Sequence, residues 1–299
     1  MEFLNTFING LSVGGIYAMI ALGYTMVYGI AKLLNFAHGD IIMVGAYMIV
    51  LFLPINPIVA IIAALILCGV LGVCIEKVAY KPLRGASPLA VLITAIGVSY
   101  LLQSLAQIIA GPTTYYPNPL EKLFPGFMGE PNYGIIKIGA FSIKLSTLIT
   151  LICVAIVMIS LTLFVKRTKT GRAMVAVSED KGAAQLMGIN VNTIIVITFA
   201  IGSSLAALAS ILTTFEASKV TTTMGSLPGI KAFTAAVIGG IGSIPGAMLG
   251  GIILGLVECF AQAVPAIAPY TVAIEFSILI IVLLVKPTGI LGKKRREKV

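Results

Sequence analysis

Charge is scarce in this sequence. Lys, Arg, Asp and Glu make up 10% of its 299 residues, where a soluble globular domain carries roughly 25%. So little charge cannot surface a large water-soluble core, and a soluble globular protein is excluded. Histidine occurs once, at His38, which rules out a His-rich metal site, and no HExxH is present. The four cysteines, Cys68, Cys74, Cys153 and Cys259, lie within apolar runs at no metal-ligand spacing and read as small buried hydrophobes. There is no GxSxG nucleophile elbow and no GxxxxGK(S/T) phosphate loop, so this chain does not bind ATP by that route. A ladder of carboxylates stepping through the apolar runs, as a proton relay needs, is missing too. The segment MEFLNTFINGLSVGG lacks the basic n-region of a secretory signal and is expected to begin a first mature span.

What is present is apolar length. Hydrophobic residues are 59% of the chain and mean hydropathy is +1.08. Runs of about 20 residues, the length that crosses a bilayer core, recur throughout. Spans are expected at 7–30, 36–53, 58–79, 89–110, 145–165, 191–215, 245–262 and 270–285. Between the sixth and seventh, Gly-Gly, Gly-Ser and Pro break the pattern and leave a short half-helix at about 231–238. The expected fold is an all-α polytopic membrane protein of about eight spans plus that half-helix, one transmembrane domain over 1–299.

The net charge of +9 sits in short loops and the tail. The positive-inside rule explains it better than nucleic-acid binding does. Lys77, Lys81 and Arg84, the 166–190 loop and the basic 286–299 tail are therefore expected in the cytoplasm. Counting spans back puts the N-terminus outside, and the long 111–144 loop is extracytoplasmic. Within that loop YGIIKIGAFSIKLS alternates in period two around Gly139-Ala140, a small β-hairpin. For the tail to end inside, the half-helix must enter from outside.

Two stretches look weakly alike: NFAHGDIIMVGAYM from Asn35 and GSLPGIKAFTAAVIGG from Gly225. Each leads through a polar, Gly-containing segment into a short helix of small residues, giving two weakly related halves. Interrupted helices in corresponding halves of a transporter point at its pathway. Asn35, His38, Asp40, Gly225, Gly229, Gly239 and Gly240 are accordingly the candidate translocation residues. The abundant glycines otherwise serve close helix packing, as in GAMLGG. His38 reads either as a proton carrier or as an interfacial residue at a helix start. Glu258 reads as a hydrogen-bonding group inside the bundle or near its outer surface.

In SEDKGAAQLMGIN, Ser178 is a good N-cap, Glu179 and Asp180 favour the positive end of a helix, and Gly188 is a C-terminal stop. A helix of about 179–187 is expected beside Lys166, Arg167, Lys169 and Arg172. It either lies on lipid headgroups or presents a docking knob to a cytoplasmic partner. Ala183-Ala184-xxx-Gly188 resembles the EAA-xxx-G loop by which ABC importer permeases engage their ATPases. The longer stretches GRAMVAVSEDKGAAQLMGIN, INGLSVGGIYAMIALGYTMVYGIAKLLNFAHGD and IGGIGSIPGAMLGG resemble the branched-chain amino acid ABC transporter permease family, the LivH-like proteins. The likeness covers nearly the whole chain. It departs from the EAA pattern at Gly182, where the glutamate belongs.

The resemblance implies a permease subunit of the prokaryotic inner membrane that translocates leucine, isoleucine or valine. It implies a second related permease, two cytoplasmic ATPases holding ATP and Mg, and an extracytoplasmic binding protein. It implies no cofactor and no metal in this chain, no catalytic residues, and lipid but no nucleic acid as partner. Coupling to the ATPases is expected through Glu179, Asp180, Ala183, Ala184, Leu186 and Gly188. Urea, amides or other amino acids remain alternative cargoes. An ion-coupled transporter using Asp40 or Glu258 is the alternative mechanism.

Overall fold

The computed structural model describes residues 2–125, 134–138 and 141–292. In chain order the elements are α1 (Glu2–Ala31), α2 (His38–Phe52), α3 (Pro57–Ile75), α4 (Pro88–Ala110), α5 (Pro119–Leu123), β1 (Ile135–Ile138), β2 (Phe141–Lys144), α6 (Leu145–Arg167), α7 (Lys169–Glu179), α8 (Lys181–Leu186), α9 (Val191–Ala217), α10 (Ser226–Gly239), α11 (Ile244–Ala263) and α12 (Thr271–Val285). A π turn, Glu76–Tyr80, and a 3-10 turn, Lys81–Leu83, prolong α3. The chain is an all-α polytopic membrane protein. Among the described residues seven helices are long and apolar enough to cross a membrane.

Side-chain caps set several helix starts. Asn56 accepts from the amide of Ile58 at 2.8 Å with Pro57 in the first turn, and Ser87 accepts from Ala90 with Pro88 next. Asn190 caps α9 and Ser243 caps α11 in the same way.

The core forms around α1, which is buried along most of its length from Gly10 onward. Helix α11 runs antiparallel along it: Gly10 meets Gly255 and Leu256, Gly14 meets Gly251 and Ile252, and Ala18 meets Gly251. These backbones touch because Gly251 and Gly255 carry no Cβ; one on Gly255 would overlap the main chain of Gly14. Gly255→Leu is expected to pry the two helices apart, seen as loss of the monodisperse peak in detergent size-exclusion chromatography.

Two helices depart from expectation. The second expected span, 36–53, is instead the 15-residue α2, about 22 Å long against a hydrocarbon core of about 30 Å. The chain reverses after α1 through Lys32, whose φ is +61°. It then runs back into the bundle so that His38 packs on Gly23, about 12 Å short of the end of α1. The half-helix is longer than expected, Ser226–Gly239, because Leu227 and Pro228 fit in a first turn where proline's missing amide is tolerated. The N-terminal ends of α2 and α10 meet, with Gly225 and Gly229 pressed on Gly39.

The hairpin forms, with Ile135 paired to Lys144 and Ile138 to Phe141; its expected turn, Gly139-Ala140, lies outside the described residues. Tyr115 and Val220 exchange two backbone hydrogen bonds and Lys122 donates to the carbonyl of Leu53. The 111–125 loop is thereby tied to the end of the bundle opposite the basic segments.

Candidate functional site

At the basic end, the 166–190 stretch is two helices. Thr168 caps α7 by accepting from Gly171 at 2.9 Å. The expected single helix over 179–187 with Ser178 as its cap is corrected here. The Ser178 hydroxyl bonds back to the carbonyl of Val175 at 2.7 Å inside α7. Asp180 is extended (φ −152°, ψ 112°) and breaks the run, and its carboxylate accepts from the amide of Ala183 at 3.0 Å. Asp180 is thus the cap of α8, and Glu179 ends α7. The far end closes as a Schellman motif: Ile189 donates to Ala184 at 3.0 Å and Gly188 to Gln185 at 2.9 Å, with Gly188 at φ +78°.

Capped at both ends, α8 is rigid, and its two sides differ. Ala184 is buried against the bundle, whereas Leu186 and Met187 are 90% and 82% exposed. Ala183 is exposed as well. Lys181 fastens α8 to the end of α1 through the carbonyl of Ala31 at 3.0 Å. Desolvation, and secondly the Arg84 guanidinium, hold the Lys181 ammonium below the ordinary lysine value. Arg84 itself bonds Glu76 and Asn192, joining the turn after α3 to the start of α9.

A second cluster lies where α2 and α10 meet. Asn35 is buried and accepts from the Tyr80 hydroxyl at 2.9 Å. His38 is buried edge-on to Tyr24 at 4.7 Å between ring centres. Asp40 accepts from Gln103 of α4 at 2.8 Å. Of the candidate pathway residues, Asn35, His38, Asp40, Gly225 and Gly229 are thus brought together. Gly239 and Gly240 are at the other end of α10, against Gly246 of α11 and the 288–292 segment.

Sequence reasoning passed over Lys231. Its ammonium lies 2.8 Å from Glu258 and 3.1 Å from Glu275, and 5.7 Å from the centre of the Tyr17 ring. The Tyr17 hydroxyl donates to Glu258 at 2.7 Å. This knot joins α1, α10, α11 and α12. It places Glu258 inside the bundle as an ion-pair partner. The signal was available, since a lysine within an apolar half-helix must find a counter-charge.

Discontinuous short helices carrying polar groups, beneath a rigid knob with an exposed apolar tip, have the build of a membrane permease. A family model described as branched-chain amino acid transport system / permease component matches residues 6–283, and the chain belongs to that family. It is a transport subunit rather than an enzyme, one component of a larger system. It is 42% identical over 310 residues to the high-affinity branched-chain amino acid transport system permease protein BraD of Pseudomonas aeruginosa, covering 100% of this chain and 98% of that protein. To LivH of Escherichia coli, named likewise, it is 39% identical with the same coverage. The ribose import permease protein RbsC of Escherichia coli is 24% identical over 94% of this chain and 85% of its own length.

Proposed function

We propose that this chain is the membrane-spanning permease of an ATP-driven ABC importer that moves leucine, isoleucine or valine inward. A second related permease completes the membrane unit, two cytoplasmic ATPases power it, and an extracytoplasmic binding protein delivers the cargo. The observation that carries the reading is the tip of α8: Leu186 and Met187 stand out at 90% and 82% exposure on a doubly capped helix. An apolar pair held out on a capped helix, uncovered by its own chain, suits an anchor for a partner's pocket. Glu179, Asp180, Ala183, Ala184 and Gly188 shape and surround it.

The protein lies in the inner membrane. The basic segments around Arg84, the α7–α8 unit and the 286–299 tail face the cytoplasm, and the N-terminus lies outside. Asn35, His38, Asp40, Gly225 and Gly229 line or brace the route, with Gly239 and Gly240 as the inner hinge of α10. ATP closes the ATPases, α8 moves as a lever, and the route changes its facing because the two conformations bind nucleotide differently. The cargo has a second reading in the likeness to a ribose permease, since one frame serving different substrates leaves their choice to the binding protein.

Proteoliposomes holding the assembled system test the reading. Labelled leucine is expected to accumulate only with ATP inside and binding protein outside. Accumulation driven by a proton or sodium gradient without the ATPases would contradict it.

A further inference from the structure

Helix α4 is long enough to cross the membrane, yet only Val91 and Ala95 are buried. If lipid covered all the rest, the rest would be apolar. It is not. At 100° per residue the uncovered surface divides in two. Leu101, Leu105 and Ile108 form one exposed arc. Gly97, Tyr100, Ser104 and Gln107 form the adjacent exposed arc, and half-buried Ser99 and Gln103 edge it toward α2. The polar side chains of the arc begin at Tyr100, in the part of α4 nearer Ala110; toward Pro88 the same arc carries Gly97 and the exposed Ile93 and Ile96.

The arc leads to a carboxylate. Gln103 reaches Asp40 at 2.8 Å while also lying 3.4 Å from Ser99 and from Ser226 at the start of α10. Asp40 is 2% exposed, and among the described residues no ion pair reaches it. A buried carboxylate lacking a cation is costly in a membrane interior and calls for a positive group. Every α-amino acid carries one in its ammonium.

We propose that the polar arc of α4 lines the water-filled outer part of the substrate route, and that Asp40 at its inner end receives the α-ammonium of the passing amino acid. Gln103 covers Asp40 in this structure and has to turn aside to admit it. This rests on the importer reading above and adds to it the wall of the route and the group that meets the cargo.

The test uses the full transporter in membranes, with its ATPases and binding protein. Ser104→Cys and Gln107→Cys are compared with Leu101→Cys and Leu105→Cys for reaction with a membrane-impermeant thiol reagent, with wild type measuring the background from native cysteines. Labelling at 104 and 107 but not at 101 and 105, with uptake blocked only in the first pair, is expected. Equal reaction at all four positions, or none at 104 and 107, overturns the lining. Asp40→Asn is expected to slow leucine uptake at least about 30-fold, the scale for removing one partner of a buried charged contact. Asp40→Glu should recover part of it, and complex yield should stay near wild type. Undiminished uptake by Asp40→Asn, or uptake lost only together with assembly, overturns the role of Asp40. Failure of the importer reading is separable, because wild type would then show no ATP-dependent uptake.

Discussion

Replacing Lys231 by methionine is expected to destabilise the folded permease more than any other single change inside the bundle. The lysine lies between two carboxylates, Glu258 from α11 and Glu275 from α12, and Glu275 is 1% exposed. Without it, buried Glu275 and partly buried Glu258 face each other with no cation. Removing one member of a buried ion pair costs about 3–5 kcal/mol, because the charge left behind is desolvated and unpaired. Removing every charge at once differs in kind: a neutral, well-packed set is often as stable as the pair it replaces. Lys231→Met combined with Glu258→Gln and Glu275→Gln should therefore recover most of the loss, with the Tyr17 hydroxyl bonding the new amide. Thermal unfolding of purified protein in detergent reads both results. A melting point unchanged in Lys231→Met would mean that the knot does not hold α10 in place.

The tip of α8 carries the second large effect, and it acts on function instead of folding. Leu186 and Met187 are left uncovered by the rest of the chain, so Leu186→Asp with Met187→Asp is expected to leave α8, its Asp180 cap and its Gly188 stop intact. Surface substitutions of this kind change stability by about 0.5 kcal/mol or less. In a docked complex the same two carboxylates enter an apolar pocket. Loss of a central anchor costs about 2 kcal/mol or more, roughly 30-fold in affinity, and two together should abolish coupled uptake while the permease still accumulates and melts normally. Asp180→Ala is a poorer probe, because it removes the cap from Ala183 and loosens the whole helix.

Much of this was legible in the sequence where the cause is local. The 135–144 alternation announces a hairpin, and apolar length announces the spans. Gly188 reads as a helix stop because a left-handed turn there needs no side chain. The Ser178 cap was misplaced for a physical reason: Asp180 also makes a good cap, and the extended backbone there ends α7 and starts α8. Three features were set by distant contacts. Lys231 meets partners 27 and 44 positions away. The start of α2 lies deep in the bundle because His38 fits the notch at Gly23. Asp40 was visible as an ionisable residue at a helix start, but its burial and its link to the polar arc of α4 depend on how two helices rotate against each other.

The most direct measurement is capture of the partner ATPase by this permease in detergent, comparing wild type with the Leu186→Asp, Met187→Asp variant at matched yield and matched melting temperature. Stoichiometric ATPase held by wild type and lost from the variant is the result expected of a docking helix. Equal capture by both would contradict it and remove α8 as the link between ATP hydrolysis and transport.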